Sequence, residues 1–114
     1  MNSAVLRKDD LTLIPNVECA EFFWERMRGL LGRSSLGEGR AMYLAPCGSI
    51  HTFFMRFSID LVFLSKQMTV KRIVRGVRPN RIVSGGCKAW SVLEMESGWF
   101  PSDALHEGDE VSVD

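Results

Sequence analysis

His51, Thr52, Arg56 and Asp60 fall within ten residues, and Cys47 stands just before them. A thiol, an imidazole and a carboxylate are the parts of a nucleophile, its base and its orienter. The same Cys47-x-x-x-His51 spacing offers two zinc ligands, with Cys19 or Cys87 to complete a set. Structural zinc sites usually present two close ligand pairs, and no Cys-x-x-Cys occurs, so buried thiols are the plainer expectation. An odd number of cysteines also suits a reducing compartment better than a disulfide framework.

Whether these groups can meet depends on the chain between them. Odd positions from Phe53 to Phe63 (Phe53, Met55, Phe57, Ile59, Leu61, Phe63) are all apolar, whereas the even positions are mixed. That is the period of a strand with one buried face. From His51 to Leu64 a straight strand would reach roughly 40 Å, longer than the roughly 34 Å diameter of a domain this size. The segment must therefore reverse or break, and Arg56-Phe57-Ser58 is the expected place. Without a reversal His51 and Asp60 lie roughly 30 Å apart and cannot act together. Asp60 sits between Ile59 and Leu61, so burial demands a partner, and Arg56 is the first choice.

The formal net charge is zero, but the charges are segregated. Residues 26–81 hold eleven Lys and Arg against Glu38 and Asp60, whereas residues 94–114 hold seven Asp and Glu and no Lys or Arg. Most of the cations are Arg, whose planar fork suits carboxylates and phosphates. The plain expectation is that the acidic C-terminal segment packs beside the basic middle and neutralises it. The sharper one is a basic face left open for an anion.

The 114 residues make one domain, with residues 1–10 expected as a loosely ordered lead. No apolar stretch of signal-peptide length opens the chain and none is long enough to cross a bilayer, so a cytoplasmic protein without membrane insertion is expected. Leu11–Val17 reads as a strand that Pro15 marks as an edge or a break. Glu21–Leu31 reads as a short helix, with Phe23, Met27, Leu30 and Leu31 on one face and Gly32 as its stop. Strands are expected at Ala41–Ala45, 59–65, 69–75, Trp90–Met95 and Glu110–Val113, with Gly76–Gly86 as a long connection. Many short strands and one short N-terminal helix specify a mainly β fold, a β-sandwich or partly open barrel.

Two blocks carry a resemblance. Phe23-Trp24-Glu25-Arg26-Met27-Arg28-Gly29-Leu30-Leu31-Gly32-Arg33 precedes His51-Thr52-Phe53-Phe54-Met55-Arg56-Phe57-Ser58-Ile59-Asp60-Leu61-Val62-Phe63. Val92-Leu93-Glu94 and Gly108-Asp109 follow in order. From about residue 11 to its end the chain resembles the bacterial and archaeal family known as domain of unknown function 192. The resemblance implies a compact β-sandwich-like domain with a short helix, and brings no activity or catalytic residues with it. Ser58 stands where that family often has Pro, which bears on the local bend.

The function expected from the residues is a binding or interaction module for a small anionic ligand or an acidic peptide. Its polar site would use His51, Thr52, Arg56 and Asp60, with Arg33 and Glu94 as further members. No phosphate-binding glycine loop stands in a strand–loop–helix context, and no cofactor or metal is expected. The alternatives are an enzyme working through His51, Arg56 and Asp60, or a weak single-stranded nucleic-acid binder. The latter would use Lys71, Arg72, Arg75, Arg78 and Arg81, with Phe54 or Trp90 as stacking surfaces. The acidic C-terminal segment disfavours it. A pocket around His51, Arg56 and Asp60 would favour ligand binding or catalysis, and a flat apolar patch would favour an interaction protein.

Overall fold

The structure, a computed structural model, describes residues 2–20 and 35–114. The helix expected over Glu21–Leu31 lies outside the described residues, as does Arg33. Among the described residues nine strands occur in order: β1 (Asn2–Lys8), β2 (Leu11–Ala20), β3 (Arg40–Leu44), β4 (Ser49–His51), β5 (Ile59–Leu64), β6 (Val70–Val77), β7 (Ile82–Ser84), β8 (Ser91–Glu96) and β9 (Ser112–Val113). Residues 2–10 are not a loose lead. They supply β1, which pairs with both β2 and β9 and buries Leu6 completely.

Seven strands form one sheet in the order β6-β5-β8-β3-β2-β1-β9. All neighbours are antiparallel except β2 and β3, which run parallel. Pro15 sits inside β2, where the β1 register shifts and just before pairing with β3 begins at Asn16. Its missing N–H therefore costs no ladder bond. Segment 108–111 leans on the start of β6 through the Thr69–Glu110 bridge and the bonds Val70 N–H to Asp109 and Val111 N–H to Met68. These contacts curl the sheet into a nearly closed barrel.

Hydrophobic burial takes place on both faces of that sheet. Inside lie Leu6, Ile14, Val17, Val62, Leu64, Val70, Leu93 and Met95, closed at the C-terminal end by Phe100, Leu105 and Val111. The outer faces of β3, β5, β6 and β8 present Met42, Leu44, Ile59, Leu61, Phe63, Val77 and Val92, and Leu36 and Met55 complete this second core. All six residues of β5 are consequently buried, as are five of the six in β8. Strands buried on both faces read as continuous apolar runs, and a polar residue within one needs a specific partner.

The ribbon of β4 and β7 lies against the outer core, with Ile50 and Val83 packed on it. Gly85 at the end of β7 makes this approach possible. A Cβ there would sit 2.4 Å from the Phe63 ring. No other residue type fits that contact without displacing the ribbon.

Candidate functional site

The expected break between His51 and Leu64 is real, and it begins earlier than Arg56. β4 ends at His51, residues 52–58 form an irregular turn, and β5 starts at Ile59. The odd-position pattern survives as the outer core for Met55, Phe57, Ile59, Leu61 and Phe63, while Phe53 is turned to solvent.

Thr52 anchors that turn. It is fully buried, and its hydroxyl donates to the Arg78 carbonyl at 2.7 Å and accepts the Arg81 N–H at 2.8 Å. Its backbone N–H donates to the Arg81 carbonyl, and its own carbonyl accepts the Asn80 and Met55 N–H groups. The hydroxyl is thus consumed in clamping loop 78–81 to turn 52–55.

Asp60 is also spent internally. Its side chain is buried; Oδ1 accepts from the Gly76 N–H at 2.8 Å and the Ser97 hydroxyl at 2.9 Å. Oδ2 has no hydrogen bond and faces the Arg75 guanidinium at 3.5 Å. An arginine partner was the physical requirement, but Arg75 on β6 fills it and Arg56 does not. The reason is register: β5 and β6 are hydrogen-bonded neighbours, so a residue across the ladder reaches Asp60. Turn 52–58 carries Arg56 away from that face. Arg75 also donates to the Phe100 carbonyl.

Glu94 lies on the opposite face of the sheet, between its cross-strand neighbours Met42 and Leu61. Its side chain is almost fully buried, and burial without a compensating charge raises its pKa to about 7. Two residues on, the half-buried Glu96 carboxylate accepts the Leu36 and Gly37 N–H groups. Cys47, His51 and Asp60 do not assemble. Cys47 donates to the Ser49 carbonyl, His51 stacks on Phe53 with centroids 5.3 Å apart, and every hydrogen bond and ion pair of Asp60 goes elsewhere. Among the described residues, no cluster of His, Cys, Asp and Glu could hold a metal ion.

What the clamp does assemble is a surface. Around Thr52 lie His51, Phe53, Phe54 and Arg56 on one side and Arg78, Asn80, Arg81 and Ile82 on the other, all exposed. Phe54 is 84% exposed and Ile82 73%, and with Phe53 they make three of the five large exposed hydrophobics among the described residues. Phe54 also has φ of +66°, a left-handed conformation that costs a bulky side chain roughly 1–2 kcal/mol. Asn80, facing it across the clamp, has φ of +66° as well, which Asn tolerates far better.

This surface is basic. No acidic residue occurs between Glu38 and Asp60 or between Asp60 and Glu94. Among the described residues Arg56 and Arg78 make no ion pair, and the Arg81 guanidinium donates only to the Pro79 and Asn80 carbonyls. The expected neutralisation by the C-terminal acids does not occur among these residues. Asp109 pairs instead with Lys8 at 3.0 Å, whose hydrogen bond holds that carboxyl below the usual range. Ile82 and the strand that carries it were hidden in the expected connection Gly76–Gly86. Their signal was two β-branched residues, Ile82-Val83, bounded by Pro79-Asn80 and Gly85-Gly86.

A small, mainly β domain with a curled seven-stranded sheet and a ribbon on its flank is the class this geometry defines. The chain belongs to the family DUF192, described as "Uncharacterized ACR", whose profile matches residues 4–113. Two crystal structures share the fold. One is a protein of unknown function from Novosphingobium aromaticivorans, 19% identical, with a TM-score of 0.80, covering 96% of this chain and 83% of that one. The other, from Sinorhizobium meliloti, is described as a "putative transcription regulator". It is 18% identical, with a TM-score of 0.84, covering 98% of this chain and 94% of that one. No match to a curated protein reaches significance. Among the described residues, no helix is long and apolar enough to cross a membrane.

Proposed function

We propose that this domain is an interaction module that binds an acidic peptide through the turn 52–57 and the loop 78–82. The observation that carries the reading is Phe54, held exposed at a conformational cost beside arginines that no carboxylate among the described residues neutralises. Strained, exposed aromatic residues persist where a partner uses them. Exposure of every side chain in the surface favours an extended partner over a small ligand, which would need walls. Arg56, Arg78 and Arg81 supply the attraction for carboxylates, and Phe54 and Ile82 supply apolar contact.

The test is a fluorescence-polarisation titration at low ionic strength. The probe is a labelled octapeptide alternating glutamate and valine. Wild-type protein is expected to bind it in a salt-sensitive way, and the R78A/R81A double variant is expected to bind about tenfold more weakly or worse. Equal binding by the two proteins overturns the reading. So does a preference for a short oligothymidine over the peptide, which marks a nucleic-acid surface instead.

A further inference from the structure

We propose that the acidic peptide is captured as a third strand on the outer edge of β7. This rests on the reading above and adds how the partner is held. In an antiparallel pair, hydrogen-bonded and non-bonded residue pairs alternate. Thr52 N–H donates to the Arg81 carbonyl at one end of the ribbon, and Gly85 N–H donates to the Gly48 carbonyl at the other. Counting inward from both ends makes Ile50 and Val83 the bonded pair. The N–H and C=O groups of Ile82 and Ser84 therefore point away from β4. The Arg72 guanidinium donates to the Ser84 carbonyl, as that direction requires. Among the described residues no backbone group pairs with this edge.

The edges of the structure differ in how they are guarded. β6 has register shifts in its pairing and carries Lys71, Arg72 and Arg75, both of which discourage strand addition. β9 is only two residues long. β7 pairs with β4 in unbroken register and presents Ile82 to solvent. A two-stranded ribbon is marginal by itself, and a third strand is its natural completion. An added strand would take the Ile82 amide and carbonyl as its ladder partners. Its N–H would replace Arg72 at the Ser84 carbonyl, and the released guanidinium would meet a carboxylate of the peptide. Backbone pairing then supplies affinity, and the cations on either side select an acidic sequence.

Proline at position 82 tests this directly. It removes the outward N–H and none of the bonds between β4 and β7. With the alternating octapeptide, I82P is expected to lose about tenfold or more in affinity, whereas I82V binds like wild type. On the peptide, N-methylation of the residues in one phase is expected to abolish binding, and N-methylation in the other phase to leave it intact. A thermal melt checks that I82P is folded, and the methylated peptides decide the matter if it is not. Equal binding of both methylated phases, or wild-type affinity in folded I82P, overturns strand addition while leaving the acidic-peptide reading standing. Failure of the unmodified peptide to bind wild-type protein overturns both.

Discussion

Asp60 and Phe54 stand six positions apart, and the protein treats them in opposite ways. Asp60 is a charge drawn into the sheet, where Gly76, Ser97 and Arg75 surround it. Phe54 is an apolar ring pushed into water, on a backbone conformation that resists it. Each placement is costly, but among the described residues only the first is compensated. Charges near Asp60 are matched by register across β5 and β6. Among the described residues Arg56 and Arg78, around Phe54, make no ion pair, and Arg81 meets backbone carbonyls. Polar groups in the barrel are therefore structural, and those beside the ribbon carry the binding proposed above.

Removing Asp60 is expected to have the largest effect. D60A strips the acceptor from two donors and leaves Arg75 unpaired, which costs about 4 kcal/mol in urea denaturation. A loss below about 1 kcal/mol would place Asp60 among surface pairs and break the contrast. Glu94 comes next. Burial lifts its folded pKa to about 7, above the ordinary carboxylate value of about 4.5, so between the two the native state holds a proton that the unfolded chain releases. The Glu94 contribution to stability should be fully present below about pH 4.5, fall as pH rises through about 7, and then level off, by roughly 3 kcal/mol in all. Denaturation across that range should show the slope in wild type and none in E94Q. T52V should cost about 2 kcal/mol, since the buried donor and acceptor roles of one hydroxyl are both lost. Hydrogen exchange should show faster opening at Asn80 and Arg81 than in β5 or β8. Uniform destabilisation instead would deny that Thr52 is a local clamp.

The strands β3, β5, β6 and β8 were legible because alternation and continuous apolar runs report burial, which is a property of the chain itself. The break after His51 was legible because a strand of that length does not fit a domain of this size. Asp60's need for an arginine was readable too. Which arginine was not, because Arg75 arrives through the pairing of β5 with β6 and Arg56 was merely nearer in sequence. Thr52 looked like a ligand-binding hydroxyl, since nothing local shows that residues 78–81 return to claim it. β1 was missed for a related reason. Asn2–Lys8 is polar enough to pass for a tail, and its strand character comes from partners at residues 11–19 and 112–113.

That last pairing bears on how the molecule comes into being. Val5 and Asp114 exchange both backbone hydrogen bonds, at 3.1 and 3.0 Å, and residues 108–111 lean on the start of β6. A ribosome delivers Asp114 about a hundred residues after Val5. Until then one side of β1 and the head of β6 have nothing to pair with, whatever else has formed. The barrel is thus completed only after residue 114 has left the exit tunnel, and a chain interrupted before residue 108 carries two unsatisfied strand edges into a crowded cell.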